Sequence, residues 1–155
     1  MNDTETIFAL ALASNFEPEF NFKKAYNRIL TLGDVQFSNI YLIPCRDGVG
    51  DDYWNSACLI KSKYAVDEIL SILKKMEEES NRVRPSHKIS LDIDLIAWGT
   101  QLDGMQFNPK KLPLALDVKV PMSDIWHNSL FESPNTSYPK IQNWYITWKM
   151  WLITH

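Results

Sequence analysis

The segment Ile7–Ala13 reads Ile-Phe-Ala-Leu-Ala-Leu-Ala and is apolar on both of the faces a strand would present. Successive side chains of a strand point to opposite sides. A run with no polar side therefore suits a central strand buried in a sheet. The elements that could cover it follow in order. Pro18 is a natural helix start, and Phe22, Ala25, Tyr26, Ile29 and Leu30 then recur at helical spacing up to a stop at Gly33. Val35–Ile43 predicts a strand ended by Pro44, and Tyr53–Lys61 alternates as a second. Between them Cys45–Asp52, with Gly48, Gly50 and three aspartates, predicts a loop. Val66, Ile69, Leu70, Leu73 and Met76 mark an amphipathic helix with acids early and lysines late. Asn81–His87 predicts a basic loop, Ser90–Trp98 a strand ended by Gly99, and Thr100–Phe107 a hairpin return through Asp103-Gly104.

Asn108–Leu116 predicts a surface loop, Asp124–Glu132 a short helix, and Trp144, Trp148 and Trp151 a docked terminal helix. Strand, helix, strand, strand, helix, strand is the split β-α-β order of a ferredoxin-like α+β sandwich: an antiparallel sheet with helices packed on one face. The other face is then available for a site. A chain of 155 residues fits one domain, residues 1–155. Its net charge of -3 gives no general attraction to nucleic acid or to an acidic membrane, so any anion site must be local. Cys45 and Cys58 form no C-x-x-C pair, and the N-terminus carries acids rather than a basic signal flank. The expectation is therefore a cytoplasmic protein in a reduced compartment; a monomer is expected as well.

The strand Ser90-Leu91-Asp92-Ile93-Asp94-Leu95-Ile96 carries the chemistry. Alternation puts Leu91, Ile93 and Leu95 on one side, and Asp92 and Asp94 on the other at roughly 7 Å between Cα atoms. Two close carboxylates in a buried central strand repel and lose solvation unless a cation sits between them. Magnesium takes one or two carboxylates together with phosphate oxygens. Solvated acids on an open strand face would give the same pattern. Just upstream, Arg82 and Arg84 with Lys88 suit phosphate oxygens, although a solvated basic loop balancing Glu77, Glu78 and Glu79 is the plainer reading. Tyr53 and Asn55 share one face of their strand. They suit a heterocycle, by stacking and by an amide edge, or alternatively cross-strand packing with Asn55 bonded to backbone. There is no G-x-x-x-x-G-K-[ST] run, which excludes a standard P-loop NTPase.

Taken together these motifs resemble the hydroxymethyldihydropterin pyrophosphokinase family. Leu91-Asp92-Ile93-Asp94-Leu95 is similar to its L-D-[LI]-D-[IL] strand, Asp52-Tyr53-Trp54-Asn55-Ser56-Ala57 to its [DY]-[YF]-x-N-x-[AV], and Met76-Glu77 with Arg82-Val83-Arg84 to its I-E…R-x-R. Leu12-Ala13-Ser14-Asn15 and Tyr41…Pro44 are similar to two shorter motifs of the family. The resemblance implies a ferredoxin-like fold and transfer of pyrophosphate from ATP to 6-hydroxymethyl-7,8-dihydropterin in folate biosynthesis. It implies two Mg2+ ions on Asp92 and Asp94, with Arg82 and Arg84 on the phosphates and Glu77 and Lys88 near the nucleotide. It further implies a pterin pocket from Asn55, Tyr53, backbone from Ile43 to Arg46, and Trp126 as a stacking aromatic. The family's arginine three positions before the first aspartate is Ile89 here, and its His-Tyr after Val-Pro is Met122-Ser123. The alternative reading is a diverged pterin- or nucleotide-binding relative with reduced or lost kinase activity.

Overall fold

A computed structural model describes residues 4–44, 51–81, 88–133 and 137–141. Arg46, Arg82, Arg84, His87 and the tryptophans of the expected terminal helix lie outside the described residues. Strands β1 (Thr6–Ser14), β2 (Asp34–Phe37), β3 (Ile40–Ile43), β4 (Tyr53–Ser62), β5 (Asp92–Gly99), β6 (Gln106–Phe107) and β7 (Lys140–Ile141) form one sheet. Its order is β6-β5-β1-β4-β3-β7, with β2 also paired to β4, and every pairing is antiparallel. Helices α1 (Pro18–Ile29) and α2 (Val66–Glu79) cover one face, as a ferredoxin-like α+β sandwich requires. The apolar run beginning at Ile7 is central, held between β4 and β5, with Phe8, Ala9 and Leu10 fully buried.

The two faces are built from different residue sizes. Phe8, Leu10, Leu12, Cys58, Ile60, Ile93 and Leu95 point toward α1 and α2 and meet Phe22, Tyr26, Ile29, Ile69 and Leu73 there. The opposite face presents Ala9, Ala11, Ala57, Leu59, Ile96 and Ala97. The alanines among them let a short third helix, α3 (Leu116–Met122), settle close to the sheet, with its Met122 packed beside Trp126 and Phe131. Gly33 is required by close approach, since a Cβ there would lie 2.1 Å from the Lys61 carbonyl oxygen.

Four expectations need correction. The single strand expected over Val35–Ile43 is two, because Phe37 pairs with Cys58 while Tyr41 pairs with Asn55, which inserts one extra residue. Ser38 holds this bulge: its N–H donates to the Ala57 carbonyl (2.9 Å), and its Oγ accepts from the Ala57 N–H (2.8 Å). The helix expected over Asp124–Glu132 lies earlier, at Leu116–Met122, and only a 3-10 turn (Ser129–Phe131) falls in the expected span. Pro121 lies in the last turn of α3, where it removes one helical N–H donor and the helix stops one residue later. α2 runs on past its lysines to Glu79, so its last turn is acidic, against the helix dipole. Finally, β5 is central only in part. β6 pairs with Ala97 and Trp98 alone, so among the described residues the half bearing the aspartates is a sheet edge.

Candidate functional site

Register decides what shares a face. Ala13 of β1 pairs with Asn55 of β4 on one side and Asp92 of β5 on the other, and Tyr41 of β3 pairs with Asn55. Directly paired residues point the same way, so Tyr41, Asn55, Ala13 and Asp92 form one row across four strands. The next row holds Ala57, Ala11 and Asp94. The carboxylate pair and the Tyr53/Asn55 pair therefore lie on the same face, opposite α1 and α2. The Ser38 bulge contributes here. Phe37 and Ile40 both pack on the helix side, and the resulting shift turns Tyr41 to the other.

Asp92 and Asp94 are half-buried, and Glu77 of α2 joins them: one oxygen of each lies within 4.8 Å of the others. Glu77 reaches the cluster around the open edge of β5, where its Oε2 accepts from the Ile93 N–H (3.0 Å). That bond offsets the cost of a carboxylate at a helix C-terminus. Three carboxylates this close are a set of hard oxygen donors suited to magnesium. A cation of the chain is already present, since Lys111 Nζ lies 2.9 Å from Asp94 Oδ1. Asn108 positions that lysine. Its Nδ2 donates to the Leu95 carbonyl of β5 (3.0 Å), its Oδ1 caps the turn Pro109–Lys111 through the Lys110 N–H (3.1 Å), and its N–H bonds the Ile96 carbonyl (2.8 Å).

Sequence reading took Asn108 and Lys111 as surface loop. The available signal was Asn-Pro, a turn initiator that also caps, followed by two lysines a short way beyond the aspartates. Beside this turn a cavity of about 460 Å³ is lined by Leu70, Lys74, Glu77, Asp94, Trp98 and the two lysines Lys110 and Lys111, among others.

Asn55 is only 2% exposed. Its Nδ2 donates to the Tyr53 carbonyl (3.2 Å), and its Oδ1 has no partner among the described residues. Tyr53 is half-buried and pairs with the buried Ile43 at the same sheet edge. The Lys88 ammonium lies 5.4 Å from the centre of the Phe16 ring. The Ile89 N–H donates to the side-chain Oδ1 of Asn15, and the Asn15 N–H donates back to the Ile89 carbonyl (2.9 Å). Trp126 is 3% exposed, stacked on Phe107 at 5.4 Å and tilted against Phe131 at 4.9 Å, so in this structure its ring is core packing with no open face. Met122 is likewise fully buried in that core.

Tyr41 is the residue of the row that sequence reading used only as a motif position. Its hydroxyl donates to Asp124 (2.8 Å to Oδ1 and 3.0 Å to Oδ2), and Asp124 also accepts from the Asn39 N–H (3.1 Å). Burial, then the hydrogen bond to and charge of Asp124, raise the Tyr41 pKa to about 12.

An antiparallel sheet with α1 and α2 on one face, and a carboxylate cluster of metal-compatible spacing at the β5 edge, is an α+β sandwich of the ferredoxin-like class. The 7,8-dihydro-6-hydroxymethylpterin-pyrophosphokinase family matches residues 9–137 of the 155. The chain belongs to that family, a group of ATP-dependent pyrophosphokinases of folate biosynthesis. Among curated proteins no sequence matches the chain. No helix among the described residues is long and apolar enough to cross a membrane.

Proposed function

We propose that this chain transfers pyrophosphate from ATP to 6-hydroxymethyl-7,8-dihydropterin. The observation that carries the proposal is the Asn55 amide oxygen, buried without a partner on the face that bears Asp92 and Asp94. Buried acceptors are ordinarily satisfied, so an orphan beside a metal-compatible cluster argues for a bound donor. Asn55 and Asp92 stand in one row two strands apart, roughly 10 Å at ordinary strand spacing. That span suits a bicyclic heterocycle with its ring edge on Asn55 and its hydroxymethyl arm at the carboxylates. Tyr53 and the backbone at Ile43 border the ring, and Arg46 belongs to the same pocket by its place in the family pattern.

In this reading Asp92 and Asp94 hold two magnesium ions, with Glu77 fixing the edge beside them. Bound magnesium supplies positive charge to the phosphate oxygens during transfer. The cavity beside Lys111 receives ATP. Trp98 and Leu70 offer apolar surface to the base, while Lys74, Lys110 and Lys111 offer charge to the phosphates. Arg82 and Arg84, which stand between α2 and β5 in the sequence, add two forks. The three lysines answer the absence of an arginine at Ile89 with point charges rather than a fork. Trp126 keeps its packing role, and Lys88 lies at the margin of the nucleotide side. The pterin hydroxyl oxygen bonds to the β-phosphorus and gives up its proton to solvent, as the bond from the β-phosphorus to the α–β bridging oxygen breaks and AMP leaves with that oxygen. The free thiol of Cys58, inert in the core, fits a reducing cytoplasm, and the enzyme works as a monomer.

The test is incubation with ATP, magnesium and the hydroxymethyl dihydropterin. The expected result is magnesium-dependent AMP in equal amount to pyrophosphorylated pterin. Binding of both substrates without AMP would overturn the catalytic reading and leave a diverged binding protein.

A further inference from the structure

On the opposite face of the sheet, between α1 and the C-terminal end of α2, lies a second cavity of about 310 Å³. Its walls include Ala25, Met76 and Leu91, with Lys24 and Arg28 at the α1 rim and Glu79 at the α2 rim. Asn21 also lines it and is 5% exposed. The Asn21 Nδ2 donates to the Phe16 carbonyl (2.8 Å), whereas its Oδ1 has no partner among the described residues. A cavity of this size with an apolar body and few placed polar groups is the usual form of a small-molecule site.

We propose that this cavity binds a small aromatic carboxylate carrying a ring N–H donor. Depth sets the orientation. The buried Asn21 oxygen takes the donor at the bottom, and the apolar walls take the ring. The exposed Lys24 and Arg28 take the carboxylate at the mouth, while Glu79 repels it from the α2 side. The walls are continuous with the candidate site. Met76 precedes Glu77, Leu91 precedes Asp92, and Ser80 Oγ lies 2.8 Å from Ser90 Oγ, which ties the end of α2 to the lead of β5. Occupancy therefore shifts the Glu77–Ile93 bond at the open edge of β5. None of this rests on the pyrophosphokinase reading.

The experiment titrates indole-3-acetate into 15N-labelled protein and follows the Asn21 side-chain amide and the Ile93 backbone amide. Both should move with one saturation curve. Indole, which lacks the carboxylate, and 1-naphthylacetate, which lacks the donor, should each bind at least about tenfold more weakly. The exposed double variant Lys24→Glu/Arg28→Glu, with its circular dichroism unchanged, should weaken indole-3-acetate by at least about the same factor. No Asn21 shift at millimolar probe, or equal binding of all three probes, would overturn the site. An Asn21 shift without movement of Ile93 would overturn the coupling to the candidate site.

Discussion

The two faces of the sheet are made from the same strands and behave as different materials. The face under α1 and α2 carries Phe8, Leu10, Leu12, Ile60, Ile93 and Leu95, large side chains interlocked with two long helices. The other carries Ala9, Ala11, Ala13, Ala57 and Ala97, a short helix, and then the polar residues Asn55 and Asp92 in one row and Asp94 in the next. Stability is concentrated on the first face. On the second, small residues leave room, and the polar groups placed there cost desolvation that packing opposite must offset. The lesson is that alternation along β1, β4 and β5 separates support from chemistry, one residue apart.

The largest effect expected of a single change is on the site face. Asp92→Ala or Asp94→Ala should lower AMP formation by at least about a thousandfold, about 4 kcal/mol, while the far-UV spectrum and melting behaviour stay close to those of the parent. Loss of the fold together with the activity would erase the division between the faces. Next in size is a core pair. Ile60→Ala, under the helices, should cost about 2–5 kcal/mol in denaturant unfolding, and Ala57→Leu, under α3, about 1–3 kcal/mol by overpacking. A larger penalty at Ala57 than at Ile60 would reverse the assignment of support. Asn55→Ala should weaken dihydropterin binding by about 1–3 kcal/mol, read from pterin fluorescence, and equal affinities would return Asn55 to a structural role.

The smallest effect concerns Tyr41. Its folded pKa of about 12 exceeds the ordinary value of 10, so the fold favours the neutral phenol. The stabilisation is therefore complete below about pH 10 and is lost as pH rises through about 12. Tyr41→Phe should cost about 1 kcal/mol or less at neutral pH, because the bond to Asp124 is exposed to water. That difference should vanish in unfolding curves measured near pH 12. A difference that grows with pH would contradict the sign.

Much of this was legible before any coordinates. An apolar run on both faces placed β1 at the centre, and two aspartates in alternation announced a common side for their carboxylates. What alternation cannot give is register. That Asp92, Ala13 and Asn55 form one row depends on which residues pair, and no single strand records it. The Ser38 bulge hid for the same reason: an extra residue in a continuous apolar stretch leaves the pattern looking like one strand. α3 was misplaced because it is only seven residues long and carries Pro121 in its last turn, which leaves little helical periodicity to read. Lys111 escaped notice because its partner lies 17 residues back along the chain, across a turn set by Asn108. Glu77 was taken from resemblance alone. Its own signal, an acid in the last turn of a helix where the dipole disfavours one, is visible only once the end of α2 is known.

The central claim is that Asp92 and Asp94 jointly bind a divalent ion on the less covered face. It is tested most directly by adding Mn2+ to 15N-labelled protein and recording which amide signals broaden first. The account predicts Ala11, Ala13 and Ile93, with Tyr26 and Ile69 under the helices affected last, and no selective broadening in the Asp92→Ala/Asp94→Ala double variant. Broadening centred on other acids such as Asp67 and Glu68, or a pattern unchanged in the double variant, would contradict it.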